Sequence, residues 1–220
     1  MLTLKVLNKN KEVLASEKGN NIILNYEGIY EEGDYIRVES SMDKFICVKF
    51  DETLAESIIF IPGKSFEFAI PSEEVRIGCY GKEAFSGEKH VICAREVEEE
   101  EVYSYRKISH NSHDIHGKAK SFPHTWANFV TRESPVFYAR NAIDGVIHNE
   151  GHGCYPYHSW AGGAREDLEF KLDFGHKVSV DKIVFYLRAD FPHDTYWKSV
   201  DVEFSDGSCE HAEFQGIADY

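Results

Sequence analysis

Short apolar runs, separated by pairs of turn-forming residues, fill the first hundred residues of the chain. Residues 2–6 alternate apolar and polar side chains with a period of two, which is typical of a half-buried strand. Turn signals such as Pro62 with Gly63 and Ser86 with Gly87 lie between the runs. Because many short strands at regular spacing build sandwiches, this half predicts an antiparallel β-sandwich. The other predicted strands are residues 35–38, 45–50, 57–61, 66–70, 75–79 and 90–94.

The second half of the chain also carries strand patterns but has longer loops. Residues 168–174 alternate apolar and charged side chains, and residues 180–187 form a further apolar run. Residues 199–204 place three apolar side chains on one face, and Ser-Asp-Gly-Ser at 205–208 predicts a hairpin turn after them. We expect function in the polar and aromatic loops between these strands.

Composition changes near residue 100. Of the eleven histidines only His90 lies in the first 101 residues, and all three tryptophans lie beyond them. Four consecutive glutamates at 98–101 mark the change, and such a run is normally solvated. The sequence therefore predicts two domains, residues 1–101 and residues 102–220.

The formal net charge of −14 limits the partners of the chain. A negative surface repels phosphate groups, so nucleic acid and anionic membranes are not expected as partners, whereas neutral ligands and cations are compatible with it. No apolar run approaches the ~20 residues of a membrane-spanning helix. The first residues lack the pattern of a secretory signal, which predicts a cytoplasmic protein, or an extracellular one if a signal was removed.

The five cysteines form neither a disulfide framework nor a zinc pattern. Their number is odd, and no two of them are separated by only two residues. Closely spaced pairs are typical of zinc sites, and even numbers are typical of disulfide-rich domains. We therefore expect reduced thiols, most of them buried.

The densest group of chemically versatile side chains follows the run at 180–187. Residues 188–198 combine a guanidinium, two carboxylates, an imidazole and two amphipathic rings. Sugar recognition uses this mixture, because planar charged groups make paired hydrogen bonds to hydroxyls and an aromatic face packs against the apolar side of a sugar ring. In the alternative interpretation, an arginine–carboxylate pair stiffens the loop and the tryptophan lies in the core. The predicted ligand contacts are Arg188, Asp190, His193, Asp194 and Trp197.

A second aromatic loop spans residues 148–160. It contains three histidines, two tyrosines and a tryptophan. Their spacing matches no standard zinc pattern, so a metal site is not the favoured interpretation. We expect ligand contacts from Tyr157, His158 and Trp160, and a rigid packed loop is the alternative.

A third group consists of His110, His113 and His116. On a helix these residues would spread over ~120° of arc, which is a loose arrangement for binding one ion. We therefore expect solvated histidines in a linker.

Signals for catalysis are few. The sequence contains no Gly-x-Ser-x-Gly elbow, phosphate-binding loop or dinucleotide glycine fingerprint. His193 beside Asp194 could form an oriented general base. A glycosidase with paired carboxylates also stays open, because the separation of carboxylates in space is not visible in a sequence.

Ordered motifs between residues 123 and 204 give the second half a family resemblance. The motifs are Asn-Ala-Ile-Asp-Gly at 141–145, Ser-Trp at 159–160, Leu-Asp-Phe-Gly at 172–175, Val-Asp-Lys-Ile at 180–183 and the hairpin at 204–208. In this order and spacing they resemble the discoidin, or coagulation factor type C, group of galactose-binding-like domains. Many bacterial carbohydrate-binding modules belong to this group.

The resemblance implies an eight-stranded antiparallel jelly roll with ligand loops at one end and a structural calcium ion. Asn141 and Asp144, with Asn149 as a further ligand, would supply the oxygen atoms that calcium prefers. The family continues through further strands after the hairpin, so the resemblance also implies missing C-terminal strands and an open sheet edge. Either the first domain or a second copy of the chain, in a homo-oligomer, would cover such an edge.

Together these observations predict an all-β protein, with an N-terminal antiparallel β-sandwich followed by a galactose-binding-like jelly roll. The expected function is non-catalytic carbohydrate binding through the loops around Trp160 and residues 188–197. Two alternatives remain open. One is a glycan-processing enzyme or accessory subunit that uses His193 and Asp194, and the other is a scaffold whose aromatic loops dock another protein.

Overall fold

The structure of the protein is a computed structural model that describes residues 1–118, 120–148, 150–187 and 196–214. These residues form twelve strands and two short helices, and all strand pairs are antiparallel. The predicted all-β class is therefore confirmed. The strands are β1 (Leu2–Leu7), β2 (Val13–Gly19), β3 (Asn21–Glu27), β4 (Tyr35–Glu39), β5 (Lys44–Lys49), β6 (Ser57–Ile61), β7 (Ser65–Ala69), β8 (Lys89–Glu96), β9 (His124–Ala127), β10 (Phe170–Asp173), β11 (Ser199–Glu203) and β12 (Cys209–Glu213). The helices are α1 (Glu73–Cys79) and α2 (Glu99–Tyr103).

Eight of the strands form two four-stranded sheets, with the orders β2-β1-β4-β7 and β3-β8-β5-β6. Alternation along β1 buries Leu2, Leu4 and Val6. Buried residues of both sheets belong to one hydrophobic core, in which the Phe50 and Phe68 rings lie 5.5 Å apart. Burying each such side chain contributes about 1.5–3 kcal/mol to folding. The sandwich and jelly-roll arrangements stay predictions.

The sequence patterns do not predict β2 and β3. Most residues of β2 are exposed because the strand lies at the edge of its sheet, so no apolar alternation marks it. In β3 only Ile22 and Leu24 are buried. Pairing with neighbouring strands, rather than a local pattern, decides the conformation of these two segments.

Residues 75–79 belong to a helix, so the strand predicted there is wrong. The first turn of α1 contains Glu73 and Glu74, and carboxylates stabilise the positive end of a helix dipole. The apolar run is too short to distinguish a helix from a strand by its period. The helix packs closely against a later segment, since a Cβ atom on Gly78 would lie 2.9 Å from the Cβ atom of Pro135.

Two further strand pairs lie in the second half, β9 with β10 and β11 with β12. The strand predicted at 168–174 is present as β10, and the one predicted at 199–204 is present as β11. The hairpin turn after β11 is also confirmed. In this turn the N–H of Phe204 donates to the carbonyl oxygen of Ser208 at 2.9 Å.

The strand predicted at residues 180–187 is wrong, because these residues pair with no strand in the described part of the chain. Their β-branched and aromatic side chains favour a strand, but a strand also needs the edge of a neighbour. Ile183, Val184 and Phe185 are exposed. The open sheet edge and the homo-oligomer inferred from the sequence stay predictions.

The chain divides into two compact units. The first consists of Met1–Val146 with Gly153–Ser179, and the second of Ile147–His152 with Val180–Tyr220. Both four-stranded sheets and the β9–β10 pair belong to the first unit, and the β11–β12 hairpin belongs to the second. The domain boundary predicted near residue 101 stays a prediction. Within the described ranges, no helix is long and apolar enough to cross a membrane.

The cysteines differ in their surroundings. Cys47 and Cys79 are buried, and burial raises the pKa of each thiol to about 11, so both stay protonated at neutral pH. Cys93 is partly buried. The expectation that most thiols are buried is wrong, because only two of the five are buried. Cys154 and Cys209 are exposed, since they lie in a loop and on an exposed hairpin strand.

Candidate functional site

Among the polar side chains buried in the first unit after α2, six are connected to one another by hydrogen bonds and ion pairs. They come from the irregular segment around residue 114, from β9, from the short helical turn Ala139–Ala142 and from the loops after it. Buried polar groups need hydrogen-bond partners, so the partners of these six residues define the geometry of the region. The members of this polar cluster are Asp114, His124, Thr125, Arg140, Asp144 and His158.

Arg140 lies at the centre of the polar cluster and is only 1% exposed. Its Nε donates to the backbone oxygen of Asp114 at 3.0 Å, and its Nη2 donates to the backbone oxygen of Ser112 at 2.9 Å. Its Nη1 donates to Oδ1 of Asn141 at 3.2 Å and lies 3.6 Å from Oδ2 of Asp144. The guanidinium therefore joins two segments that are distant in sequence.

Arg140 keeps its charge inside the molecule. Burial by itself lowers the pKa of Arg140, but the neighbouring Tyr80 and Asp144 raise it, and the net pKa lies above its ordinary value. The guanidinium carbon lies 4.4 Å from the centre of the Tyr80 ring, which is a cation–π contact. Arg140 is thus a fixed positive charge buried inside the first unit.

Asp114 accepts four hydrogen bonds through its carboxylate, one of them from the backbone N–H of Ile115 to Oδ1 at 3.0 Å. Oδ1 accepts the Nδ1 proton of His124 at 2.6 Å, while Oδ2 accepts the backbone N–H and the hydroxyl of Thr125 at 3.0 and 2.7 Å. The bond to Nδ1 fixes the tautomer of His124 and leaves its Nε2 as the second polar atom of the ring. Nε2 makes no hydrogen bond within the described residues, and the side chain keeps 9% of its surface exposed.

Asp144 and His158 form the second buried acid–histidine pair. Nε2 of His158 lies 2.5 Å from Oδ2 of Asp144, and Oδ1 of Asp144 accepts the N–H of Val146 at 2.9 Å. The His158 side chain is 0% exposed, and its Nδ1 has no hydrogen-bond partner among the described residues. The buried His158 side chain therefore attaches its loop to Asp144. The contact of His158 with a ligand stays a prediction.

The expectation of solvated linker histidines is wrong for His113 and His110. His113 is fully buried, where its Nε2 accepts the N–H of Phe50 at 3.1 Å and its Nδ1 lies 2.9 Å from Oγ of Ser112. His110 is partly buried, whereas His116 is exposed and stacks on a tyrosine ring. An acceptor role for Nε2 requires neutral His113, and burial lowers the pKa of this histidine to about 3.

We expect His113 to make stability depend on pH. Its pKa is about 3 in the folded chain against the ordinary 6.5, so below pH 6.5 the unfolded chain binds a proton that the folded chain does not. The stability due to neutral His113 is therefore present above pH 6.5 and is lost as the pH falls towards 3, by about 1.4 kcal/mol per pH unit. Urea unfolding between about pH 6.5 and pH 4.5 should show a smaller pH dependence in His113→Gln than in the native chain. Equal slopes would contradict this prediction.

The loop above the Asp144–His158 pair presents two aromatic rings. In this tyrosine loop, residues 153–159, the N–H of Tyr155 donates to the backbone oxygen of Gly78 at 3.1 Å. The N–H of Tyr157 donates to the backbone oxygen of Cys154 at 2.9 Å. Tyr155 and Tyr157 are nevertheless 37% and 38% exposed. Because the N–H of Ser159 also donates to the backbone oxygen of Val136 at 3.0 Å, the loop backbone is held on both sides of these two rings.

The other predicted contact residues lie in different surroundings. Trp160 is partly buried, where its ring lies 5.0 Å from that of Phe170 and its Nε1 donates to the backbone oxygen of Phe129 at 3.2 Å. Trp197 belongs to the second unit and is partly exposed. The remaining residues predicted to contact a ligand or calcium lie outside the described residues. They are Arg188, Asp190, His193, Asp194 and Asn149.

The described residues around Asp144 do not fit a calcium site. Both oxygens of its carboxylate already accept hydrogen bonds, and the Arg140 cation lies 3.6 Å from one of them. The side-chain nitrogen of Asn141 donates to the backbone oxygens of Pro135 and Val136, and its side-chain oxygen accepts from Arg140. No cluster of three or more metal-binding side chains is found in the described ranges. The Arg140 guanidinium already supplies the positive charge that a bound cation would place beside the Asp144 carboxylate.

No known protein family, curated protein or solved structure matches this chain. The resemblance to discoidin domains therefore stays a prediction. Sequence reasoning missed Asp114, His124, Arg140 and the exposed Trp126. A local pattern could have indicated two of these residues, His124 and Trp126. The strand sequence His-Thr-Trp-Ala at 124–127 places both on the same face.

Proposed function

We propose that the protein binds carbohydrate without catalysis and that the tyrosine loop contacts the ligand. The observation that carries this proposal is the pair of partly exposed rings, Tyr155 and Tyr157, on a loop with a fixed backbone. Sugar rings have apolar C–H faces that pack against aromatic rings, and a phenolic hydroxyl adds a hydrogen bond at the edge.

The support beneath the loop favours binding with little rearrangement. His158 follows Tyr157 in the chain, and its buried side chain is held by Asp144, which lies beside the Arg140 cation. Groups that are ordered before the ligand arrives lose less conformational entropy when they bind it. The rigid loop therefore suits a ligand that makes weak individual contacts, as a sugar does.

One further observation favours binding over catalysis, and another disfavours anionic ligands. The carboxylates of Asp114 and Asp144 are buried and already accept hydrogen bonds from neighbours, so neither is directed at a substrate. The net charge of −14 disfavours anionic ligands. The alternative of an enzyme that uses His193 and Asp194 concerns residues outside the described ranges.

We expect alanine at Tyr155 or Tyr157 to weaken binding of a neutral oligosaccharide about tenfold, which corresponds to about 1.4 kcal/mol. Each change removes a ring that packs against the sugar, and isothermal titration calorimetry measures the dissociation constant. The intact chain is first screened against a panel of neutral oligosaccharides of glucose, galactose, mannose and xylose. The members that bind then serve as probes for the variants.

Tyr105→Ala is the matched control, because Tyr105 is 82% exposed and lies outside the tyrosine loop. This variant should keep the affinity of the native chain. Thermal unfolding of all variants reports whether the fold is retained. An unchanged dissociation constant in a folded Tyr155→Ala/Tyr157→Ala double variant would overturn the assignment of the loop.

A further inference from the structure

We propose that the outward face of the β9–β10 pair is a second saccharide-binding site, centred on Trp126. This ribbon face consists of His124, Trp126, Lys171 and Asp173. The ribbon face shares no residue with the tyrosine loop. This proposal rests on the proposed function only for the class of ligand, a neutral saccharide.

The strand register places these four residues together. In the antiparallel pair, Trp126 lies opposite Lys171 and His124 lies opposite Asp173. Directly opposite residues point to the same face, and so do alternate residues of one strand. The other face carries Thr125 and the partly buried Leu172 and Phe170. One side of the ribbon is therefore packed, whereas on the other side Trp126, Lys171 and Asp173 are exposed and His124 beside them is 8% exposed.

Trp126 is exposed although it lies in a regular strand. It keeps 43% of its surface accessible, whereas Trp160 is partly buried against Phe170 on the inner side. Nζ of Lys171 lies 4.8 Å from the centre of the Trp126 ring and 2.9 Å from a carboxylate oxygen of Glu169. The indole is thus held by a neighbour and still offers a large apolar surface to a ligand.

His124 adds a directional polar atom next to this ring. Because Asp114 accepts its Nδ1 proton at 2.6 Å, the imidazole has a fixed tautomer and Nε2 is the atom that neutral His124 offers as an acceptor. Nε2 makes no hydrogen bond within the described residues. Opposite it, one carboxylate oxygen of Asp173 accepts the N–H of Gly175 at 2.7 Å, and the other makes no hydrogen bond in the described part of the chain.

The spacing and charge of the ribbon face suit one neutral sugar unit. Residues two apart in a strand are separated by about 6.8 Å, so a pyranose stacked on Trp126 would bring its edge hydroxyls towards His124. The Nε2 atom and the Asp173 carboxylate accept hydrogen bonds from hydroxyls, and the Lys171 ammonium donates one. Glu169 balances the charge of Lys171 at 2.9 Å and Asp173 adds a negative charge, so the face has no excess of positive charge that would require an anionic ligand.

Trp126→Ala and Trp126→Phe in the intact chain test this site, with the same panel of neutral oligosaccharides as the probe. Titration calorimetry of a chain with two sites reports two binding events, and we expect Trp126→Ala to weaken one of them at least about tenfold and Trp126→Phe, which keeps an aromatic face, to retain most of its affinity. Saccharide should also shift the tryptophan emission of the native chain, and the shift should shrink in Trp126→Phe. Tyr105→Ala serves as the control for loss of an exposed ring.

The outcomes separate this site from the tyrosine loop. Loss of binding in folded Trp126→Ala supports the ribbon face, even where the Tyr155→Ala/Tyr157→Ala variant binds normally and the tyrosine-loop proposal fails. An unchanged number of bound saccharides with unchanged affinities, together with an unchanged emission shift, in Trp126→Ala would overturn the ribbon face, while loss of a binding event in the tyrosine variant would still support the loop. If the intact chain binds no member of the panel, both sites are overturned.

Discussion

Arg140→Ala is expected to lower the free energy of unfolding by about 3–5 kcal/mol. The substitution removes a buried cation that donates to the backbone oxygens of Asp114 and Ser112 and lies 3.6 Å from the Asp144 carboxylate. Two carbonyl oxygens would lose their donor, and a buried carboxylate would lose its nearby positive charge. Leaving a buried charge without its partner is among the most destabilising effects of a single substitution. Urea unfolding measures the loss.

Arg165→Ala is the matched control for Arg140. Arg165 also pairs with a carboxylate, since its Nε and Nη2 donate to Asp167 at 2.8 and 2.6 Å, but both side chains are exposed. Exposed pairs contribute little because water solvates both charges. We therefore expect Arg165→Ala to unfold close to the native chain. Equal losses in the two variants would contradict the central position of Arg140.

Asp114→Ala is expected to lower the free energy of unfolding by about 3 kcal/mol or more. Its carboxylate accepts from Nδ1 of His124, from the backbone and hydroxyl of Thr125 and from the backbone N–H of Ile115, so the substitution leaves four donors without an acceptor. Each buried unsatisfied group costs about 1–3 kcal/mol, although such costs are not fully additive. Thermal and urea unfolding measure the effect, and ligand affinity of the folded fraction reports on the orientation of His124.

Asp201→Ala is the control for Asp114, because Asp201 accepts from Nδ1 of His211 at the same 2.6 Å on an exposed hairpin. Solvent replaces the lost bond there, so we expect little change in unfolding. If Asp114→Ala also unfolds like the native chain, the polar cluster does not hold this region together.

Local patterns predicted the fold best where a strand alternates buried and exposed residues. The strand predicted at 57–61 coincides with β6, in which Ser57, Ile59 and Ile61 are buried and the residues between them are not. The edge strand β2 lacks such alternation because water contacts most of its side chains. Residues 180–187 show the opposite, because they have the composition of a strand but form none among the described residues. A favourable composition does not supply a partner strand.

The candidate sites were less predictable because their bonds join residues that are distant in the chain. Asp114 contacts His124 ten residues later, and Asp144 contacts His158 fourteen residues later. No period or motif connects such positions before the chain folds. Sequence reasoning selected Trp160 for its aromatic loop, whereas the packing exposes Trp126 and partly buries Trp160 beneath the ribbon.

Incubation of the intact chain with an array of neutral glycans, followed by chemical analysis of the retained glycans, tests the central claim most directly. Non-catalytic carbohydrate binding predicts that the chain retains one group of related oligosaccharides and that these are recovered unchanged. Retention of no glycan would contradict carbohydrate binding. Retention followed by cleavage of the glycan would contradict binding without catalysis.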